Sequence, residues 1–294
     1  FRSIGTTTTT FGTLTSWLID VVNLATGNLD RPGGAMFTAP VAGSPTTRGS
    51  ARTGKGFTTG RGSTVVRQLP EVMGEYPAAA MAEEIVQAGD RSMRALVTVA
   101  GNPVLSTPNS AQLDDALASL DVMVSVDIYL NETTRHADVI LPPPSPLQRG
   151  HYDVALYQFA VRNVANYSEP VLPLDDGQPD EWEILARLGL IASEMGAGAE
   201  PSVADDLMVR GLLQSAVGDA SSPVHGRDVD ELLEALAPRR GPERLLDAML
   251  QTGPYGAAFG ARPGGASLDL LLAHPHGVDF GALDRKSTRL NSSH

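Results

Sequence analysis

The hydrophobic positions between Ala95 and Leu141 fall into three short runs separated by helical spacing. Ala95–Ala100 stops at the turn Gly101-Asn102-Pro103, Met123–Tyr129 is interrupted by one carboxylate, Asp127, and Asp138–Leu141 is closed by Pro142-Pro143-Pro144. Runs of this length, rich in Val and Ile and not alternating with polar residues, predict parallel strands covered on both faces. Between the first two, Thr107 before Pro108 has the form of an N-cap followed by proline at the first helical position. Leu113, Leu117 and Leu120 follow at helical spacing, so Thr107–Leu120 is the expected crossover helix of a βαβ unit.

Helical patterning surrounds this segment. Thr15 or Ser16 is expected to cap a helix whose apolar face is Trp17, Val21 and Leu24, with Leu18 and Val22 beside it and Gly27 as its C′ stop. Ala78–Gly89 reads as a second helix, turning Met81 and Ile85 inward. Asp180 is placed to cap Glu181–Glu194, with Trp182, Leu185 and Leu188 inward and acids in its first turn. Ser202–Val217, Asp228–Leu236 and Pro242–Leu250 are three further amphipathic helices. The predicted fold is α/β: a doubly wound, mainly parallel sheet with a C-terminal helical appendage. Residues 1–70 form the end of one α/β domain with a basic Gly-rich loop, 71–195 a dinucleotide-binding α/β domain, and 196–283 the helical region. Residues 284–294, DRKSTRLNSSH, resemble the translated read-through of a sequencing adapter and are expected to be disordered, which makes the chain an internal fragment.

Composition narrows the function. A formal net charge of -12 argues against a general nucleic-acid binder. No stretch of about twenty apolar residues is present, so no membrane span is expected, and a cytoplasmic setting follows as the default. Cysteine is absent, which excludes disulfides and any cysteine-held cluster within this chain. Against the acidic background, Arg31 to Pro70 holds no acidic residue while Arg48, Arg52, Lys55, Arg61 and Arg67 accumulate among glycines. Such a loop can close over pyrophosphates, or be a solvated, poorly ordered surface loop over Pro40–Gly60.

Ligands of open parallel sheets bind beyond the carboxyl ends of strands. Gly101-Asn102-Pro103 and Asp127 sit at two such ends. A small turn admits a ligand to the backbone, and a carboxylate accepts paired N–H groups of a base or the hydroxyls of a ribose. The same residues also suit a tight turn and a carboxylate capping the next helix. His151, Tyr152 and Asp153 can form an acid–base group or only local hydrogen bonds, and His274-Pro275-His276 reads as a surface turn rather than a metal site.

GNPVLSTPNS followed by VSVDIYLNETTRHADVILP resembles the molybdopterin (molybdenum-bis-guanine-dinucleotide) oxidoreductases, which include the formate dehydrogenases and nitrate reductases. Asp127, Glu132, Thr133, Ala137, Asp138 and Pro142 fill that family's frame, as do TGNLDRPGGAMF and the PDEWEI helix start. The resemblance implies a molybdenum or tungsten bis-molybdopterin guanine dinucleotide cofactor and two-electron chemistry on a small-molecule substrate, with an electron-transfer subunit as a possible partner. It implies Gly101, Asn102, Pro103, Asp127 and Asn131 as nucleotide-site residues, with Thr7, Thr8 and Arg61 as weaker candidates. The threonine run Thr6–Thr10 can then donate to phosphate or a pterin edge, or be a β-branched strand. The family's iron–sulfur cluster and metal ligand are expected before Phe1, and its C-terminal barrel after Leu283. After Pro146 the family's Gly is kept as Gly150 but the threonine after it is not, and Asn131 stands where the family often has threonine; these departures leave the substrate open. Two alternatives stand beside this: a metal-free electron-transfer subunit of the same fold, like the large subunit of respiratory complex I, and an unrelated nucleotide-binding module.

Overall fold

The three apolar runs do pair in parallel. The computed structural model describes residues 4–43 and 59–283. In chain order its first elements are α1 (Ile4–Thr7), α2 (Gly12–Ala25), β1 (Thr59–Ser63), β2 (Pro70–Val72), α3 (Met81–Val86) and β3 (Ala95–Val99). There follow α4 (Pro103–Ser106), α5 (Ser110–Leu117), β4 (Val122–Val126), β5 (Val139–Ile140), β6 (Arg162–Ala165) and α6 (Glu181–Ala192). The last are α7 (Pro201–Gly218), α8 (Val229–Ala235), α9 (Gly241–Thr252), α10 (Leu268–Leu272) and β7 (Val278–Ala282). The chain divides into two units, each drawn from separated stretches. A sheet unit comprises Gly56–Arg149 and Pro170–Ala204, and a helical unit comprises Phe1–Lys55, Gly150–Glu169 and Asp205–His294.

In the sheet unit the strand order is β3-β4-β5, all parallel, with Leu96 beside Met123 and Thr98 beside Ser125. α5 is the crossover, and Leu113 and Leu117 on it pack with Ile85, Val104 and Met123 into one core. The crossover is shorter than predicted. Pro108 forces Thr107 into extended backbone, and the Thr107 hydroxyl donates back to the Pro103 carbonyl at 2.7 Å, closing α4 instead of opening α5. Asn109, left-handed at φ 60, takes the N-cap position. The Ala78–Gly89 helix likewise reduces to a 3-10 turn over Ala78–Ala80 and the short α3.

Helices over both faces were expected. The register places Val97, Val99, Val122 and Val139 on the face opposite that core, where they are 43–51% exposed. That face is covered unevenly, since Val126 on it is only 1% exposed, while α3 and α5 both pack beside Met123 on the other. Two residues of α6 are buried, Ile184 and Leu190, whereas Leu185, expected inward, is exposed. Its start matches the prediction: Asp180 and Glu183 form a reciprocal capping box. β1 and β2 make a separate antiparallel pair.

The helical unit has two cores. Val209, Leu213, Leu232, Leu236 and Ala248 of α7, α8 and α9 are fully enclosed in one. Val41, Leu250, Leu268 and Leu271 enclose the other, together with Ala165 and Tyr167. The C-terminal region is thus not purely helical, since β7 pairs antiparallel with β6 more than a hundred residues earlier and shares its core with Val41. Pro40–Gly43, predicted as part of a solvated loop, is buried instead, its Ala/Pro/Val sequence being apolar. Arg48, Arg52 and Lys55 lie outside the described residues, as does the tail from 284 onward.

The threonine run forms no strand. α1 ends at Thr7 and the chain turns back so closely that a Cβ on Gly12 would lie 2.1 Å from the Thr7 carbonyl oxygen. α2 therefore begins at Gly12, three residues before the predicted caps, and the Thr15 hydroxyl donates to the Phe11 carbonyl at 3.0 Å. Gly27 stops the helix in the left-handed conformation as predicted, at φ 69. Trp17 and Leu24, expected inward, are about three-fifths exposed, at 59% and 65%.

Candidate functional site

Parallel neighbours bring their C-terminal ends to the same edge of a sheet, and the Ala100 N–H extends the β3–β4 ladder by donating to the Val126 carbonyl at 2.9 Å. Beyond it Ala100 (φ 54) and Gly101 (φ 81) both turn left-handed. Glycine takes this conformation without cost, whereas alanine there is strained. No atom lies within 4 Å of where a Gly101 Cβ would stand, so the turn is open on that side. Pro103 then starts α4 as its first residue.

Asn102 clasps this turn to the loop after β4. Its amide nitrogen donates to Glu132 Oε2 at 2.6 Å, and its carbonyl oxygen accepts the Thr133 hydroxyl at 2.7 Å. The same hydroxyl accepts from the Val104 N–H at 3.0 Å. Asn131 shapes the loop from within: its Oδ1 accepts the Thr133 and Thr134 N–H groups at 2.9 Å each. The Thr134 hydroxyl donates to the Tyr129 carbonyl at 2.8 Å.

Asp127 follows β4 and is only 7% exposed. Its Oδ1 accepts the Tyr129 N–H at 2.9 Å, and its Oδ2 meets no partner among the described residues. A carboxylate oxygen that no protein group donates to stays available to accept from a ligand or from water. The surrounding charges are balanced locally. The hydrogen bond from Asn102 holds the Glu132 carboxyl below the usual carboxylate range. Arg135 grips both Asp114 oxygens at 2.7 and 2.6 Å and, with His136 at 2.6 Å, draws the Asp114 carboxyl down, tying the loop to α5.

The structure thus gathers Gly101, Asn102, Pro103, Asp127 and Asn131 on one sheet edge. Arg61 is in the same unit but is not free for a phosphate. Its guanidinium pairs with both oxygens of Glu71, and its N–H donates to Glu71 Oε2 at 3.2 Å. Thr7 ends α1 and Thr8 follows it, both in the helical unit. Glu132 and Thr133 are the site residues that spacing alone did not single out; each reaches Asn102 across about thirty residues of sequence. The His151 group is structural: His151 pairs its backbone with Ser168, Asp153 accepts the Leu156 N–H at 2.8 Å, and Tyr152 packs on Tyr157 at 5.1 Å between ring centres. Burial raises the Tyr152 hydroxyl above its ordinary pKa. His274 folds back onto the Leu270 carbonyl at 2.8 Å. Among the described residues no cluster of His, Cys, Asp and Glu is placed to hold a metal, and no helix is long and apolar enough to cross a membrane.

An open backbone turn beside a carboxylate with one oxygen uncommitted among the described residues suits a ligand that offers N–H donors on a flat edge. A family model described as molybdopterin oxidoreductase matches residues 3–145. A nitrate reductase of Symbiobacterium thermophilum is 30% identical over 199 residues, covering 60% of this chain and 25% of that protein. The assimilatory nitrate reductase catalytic subunit of Bacillus subtilis is 28% identical over 152 residues, covering 49% of this chain and 20% of that protein. The F420-dependent formate dehydrogenase subunit alpha of Methanocaldococcus jannaschii is 37% identical over 59 residues, covering 20% of this chain and 9% of that protein. The chain spans about a fifth to a quarter of the length of these two nitrate reductases. Residues 3–145, which include the Gly101–Asp127 edge, are thus similar to the molybdopterin oxidoreductase family.

Proposed function

We propose that this chain is part of the catalytic subunit of a molybdopterin-dependent oxidoreductase, and that the β3–β4 edge holds the guanine end of a bis-molybdopterin guanine dinucleotide. The observation that carries the reading is Asp127, a largely buried residue whose Oδ2 accepts no hydrogen bond among the described residues, beside the open Gly101 turn. The cofactor, with molybdenum or tungsten, supplies the two-electron chemistry, and the protein's part is binding and orientation. The Asp127 carboxylate accepts the paired N–H donors of the guanine edge, one on Oδ2 and one on the remaining lone pair of Oδ1, and Gly101 lets the nucleotide meet bare backbone. Asn102 and Asn131 spend their side-chain oxygens inside the protein, so they fix the shape of the edge. Arg61, committed to Glu71, braces β1 and β2. An iron–sulfur cluster, an electron-transfer subunit and the small substrate belong to the longer protein, since this chain has no cysteine to hold a cluster.

Calorimetric titration of the chain with guanosine diphosphate tests the reading. Saturable binding is expected, weakened about tenfold or more by Asp127→Ala. A wild-type chain that does not bind the nucleotide, or an Asp127→Ala chain that binds it as well as wild type, would overturn it.

A further inference from the structure

Directly after Asp127 the chain presents Ile128, Tyr129 and Leu130, which are 58%, 68% and 78% exposed. Three large apolar side chains in a row on the rim of a binding edge are more than a soluble surface leaves open without use. The backbone beneath them is fixed rather than loose. The Tyr129 N–H is held by Asp127 Oδ1 at 2.9 Å, and its carbonyl accepts the Thr134 hydroxyl at 2.8 Å. The second bond runs to a residue anchored by Asn131, whose Oδ1 accepts the Thr134 N–H at 2.9 Å. The Tyr129 ring makes no hydrogen bond or ring contact of its own among the described residues.

We propose that Tyr129 is a stacking platform for a purine base whose edge is held by Asp127. The inference rests on the reading of this edge as a nucleotide site and adds the residue that meets the face of the base. One side chain therefore fixes both partners. Asp127 uses one lone pair of Oδ1 to set the Tyr129 backbone and keeps the rest of the carboxylate for the base, so edge and face recognition are built on the same side chain. Tyrosine loses little conformational freedom on stacking, having two side-chain torsions to fix. Stacking on an aromatic ring does not distinguish one base from another, because every base has a π-face. Preference for guanine then comes from Asp127, and general purine affinity from Tyr129.

Proton NMR titration of the chain with guanosine and adenosine diphosphates separates the two. Tyr129→Ala is expected to weaken both nucleotides by a similar factor, about fivefold to a hundredfold, while Tyr129→Phe stays within about twofold of wild type. The base H8 resonance should move upfield on binding to wild type and Tyr129→Phe, and not on binding to Tyr129→Ala. The exposed ring makes an unfolded Ala variant unexpected, and its far-ultraviolet circular dichroism should match wild type. If Asp127→Ala weakens binding but Tyr129→Ala binds as wild type with the H8 shift intact, the stacking role is overturned and the nucleotide site stands. If the wild-type chain binds neither nucleotide, both readings fall.

Discussion

Thr133 and Asn102 are joined by a 2.7 Å hydrogen bond that links the loops after two parallel strands, and the Thr133 hydroxyl is saturated on both sides because the Val104 N–H donates to it. Thr133→Val keeps the shape and removes the oxygen, leaving the Val104 N–H and the Asn102 carbonyl oxygen without their partner. It should lower stability by about 1–3 kcal/mol in urea unfolding. Thr133→Ser, which keeps the hydroxyl, should avoid most of that loss.

The two left-handed residues of the turn predict opposite signs. Ala100→Gly relieves a strained alanine and should raise the unfolding midpoint, by about 1 kcal/mol. Gly101→Ala should lower it by a similar amount, from backbone strain alone, because no atom stands near its Cβ position. Thermal unfolding of both variants checks the pair of signs.

Glu71 sets an acid limb. Hydrogen bonding to Arg61, then to the Gly74 N–H, holds its carboxyl down at about 2, against 4.5 for the free group. A depressed folded pKa stabilises the fold above the unfolded value, and that contribution is lost as pH falls through the folded one. Glu71→Gln should therefore be less stable than wild type at neutral pH, with the gap narrowing from about pH 4.5 to about pH 2. Melting curves across that window measure it, and a gap independent of pH would contradict it.

The unequal covering of Leu117 and Val99 is testable by paired truncations. Leu117→Ala empties part of the α5 core and should cost about 2–5 kcal/mol. Val99→Ala, on the opposite face, should stay within about 0.5 kcal/mol of wild type. Equal costs in urea unfolding would mean that the two positions are equally covered.

Gly150 carries a steric constraint. A Cβ there would lie 1.9 Å from the Tyr167 hydroxyl oxygen, which itself donates to Glu243 at 2.8 Å. Gly150→Ala should destabilise by about 1–3 kcal/mol through overpacking, and by less in a Tyr167→Ala background, as a double-mutant cycle would show.

What the sequence made legible was local. The Asp180 capping box, the Gly27 stop and the three Val-rich strands each depend on residues a few positions apart. The site edge was legible too, because parallel strands joined by a crossover bring their ends together whatever their side chains do. The errors were competitions that local pattern does not decide. Thr107 had two acceptable uses for its hydroxyl, and Pro108 chose between them. Arg61 looked free because its partner Glu71 lies just past the acid-free stretch, across the β1–β2 pairing that a Gly-rich segment does not announce. Periodicity found the valines of the sheet, but not that Val97 and Val99 are each 51% exposed.

The β6–β7 pairing carries a consequence for how the polypeptide is made. Arg162 meets Asp279 across 117 positions, so a nascent chain emerging from the ribosome must keep β6 unpartnered through synthesis of α6 to α10. Closing so long a loop is slow compared with the nearby β3–β4 contact. The sheet-bearing stretch up to Arg149 can settle early, while the helical unit waits for nearly the last described strand. Assembly order in this protein is thereby written into its connectivity, and β6 is the segment most exposed to wrong partners in the interval.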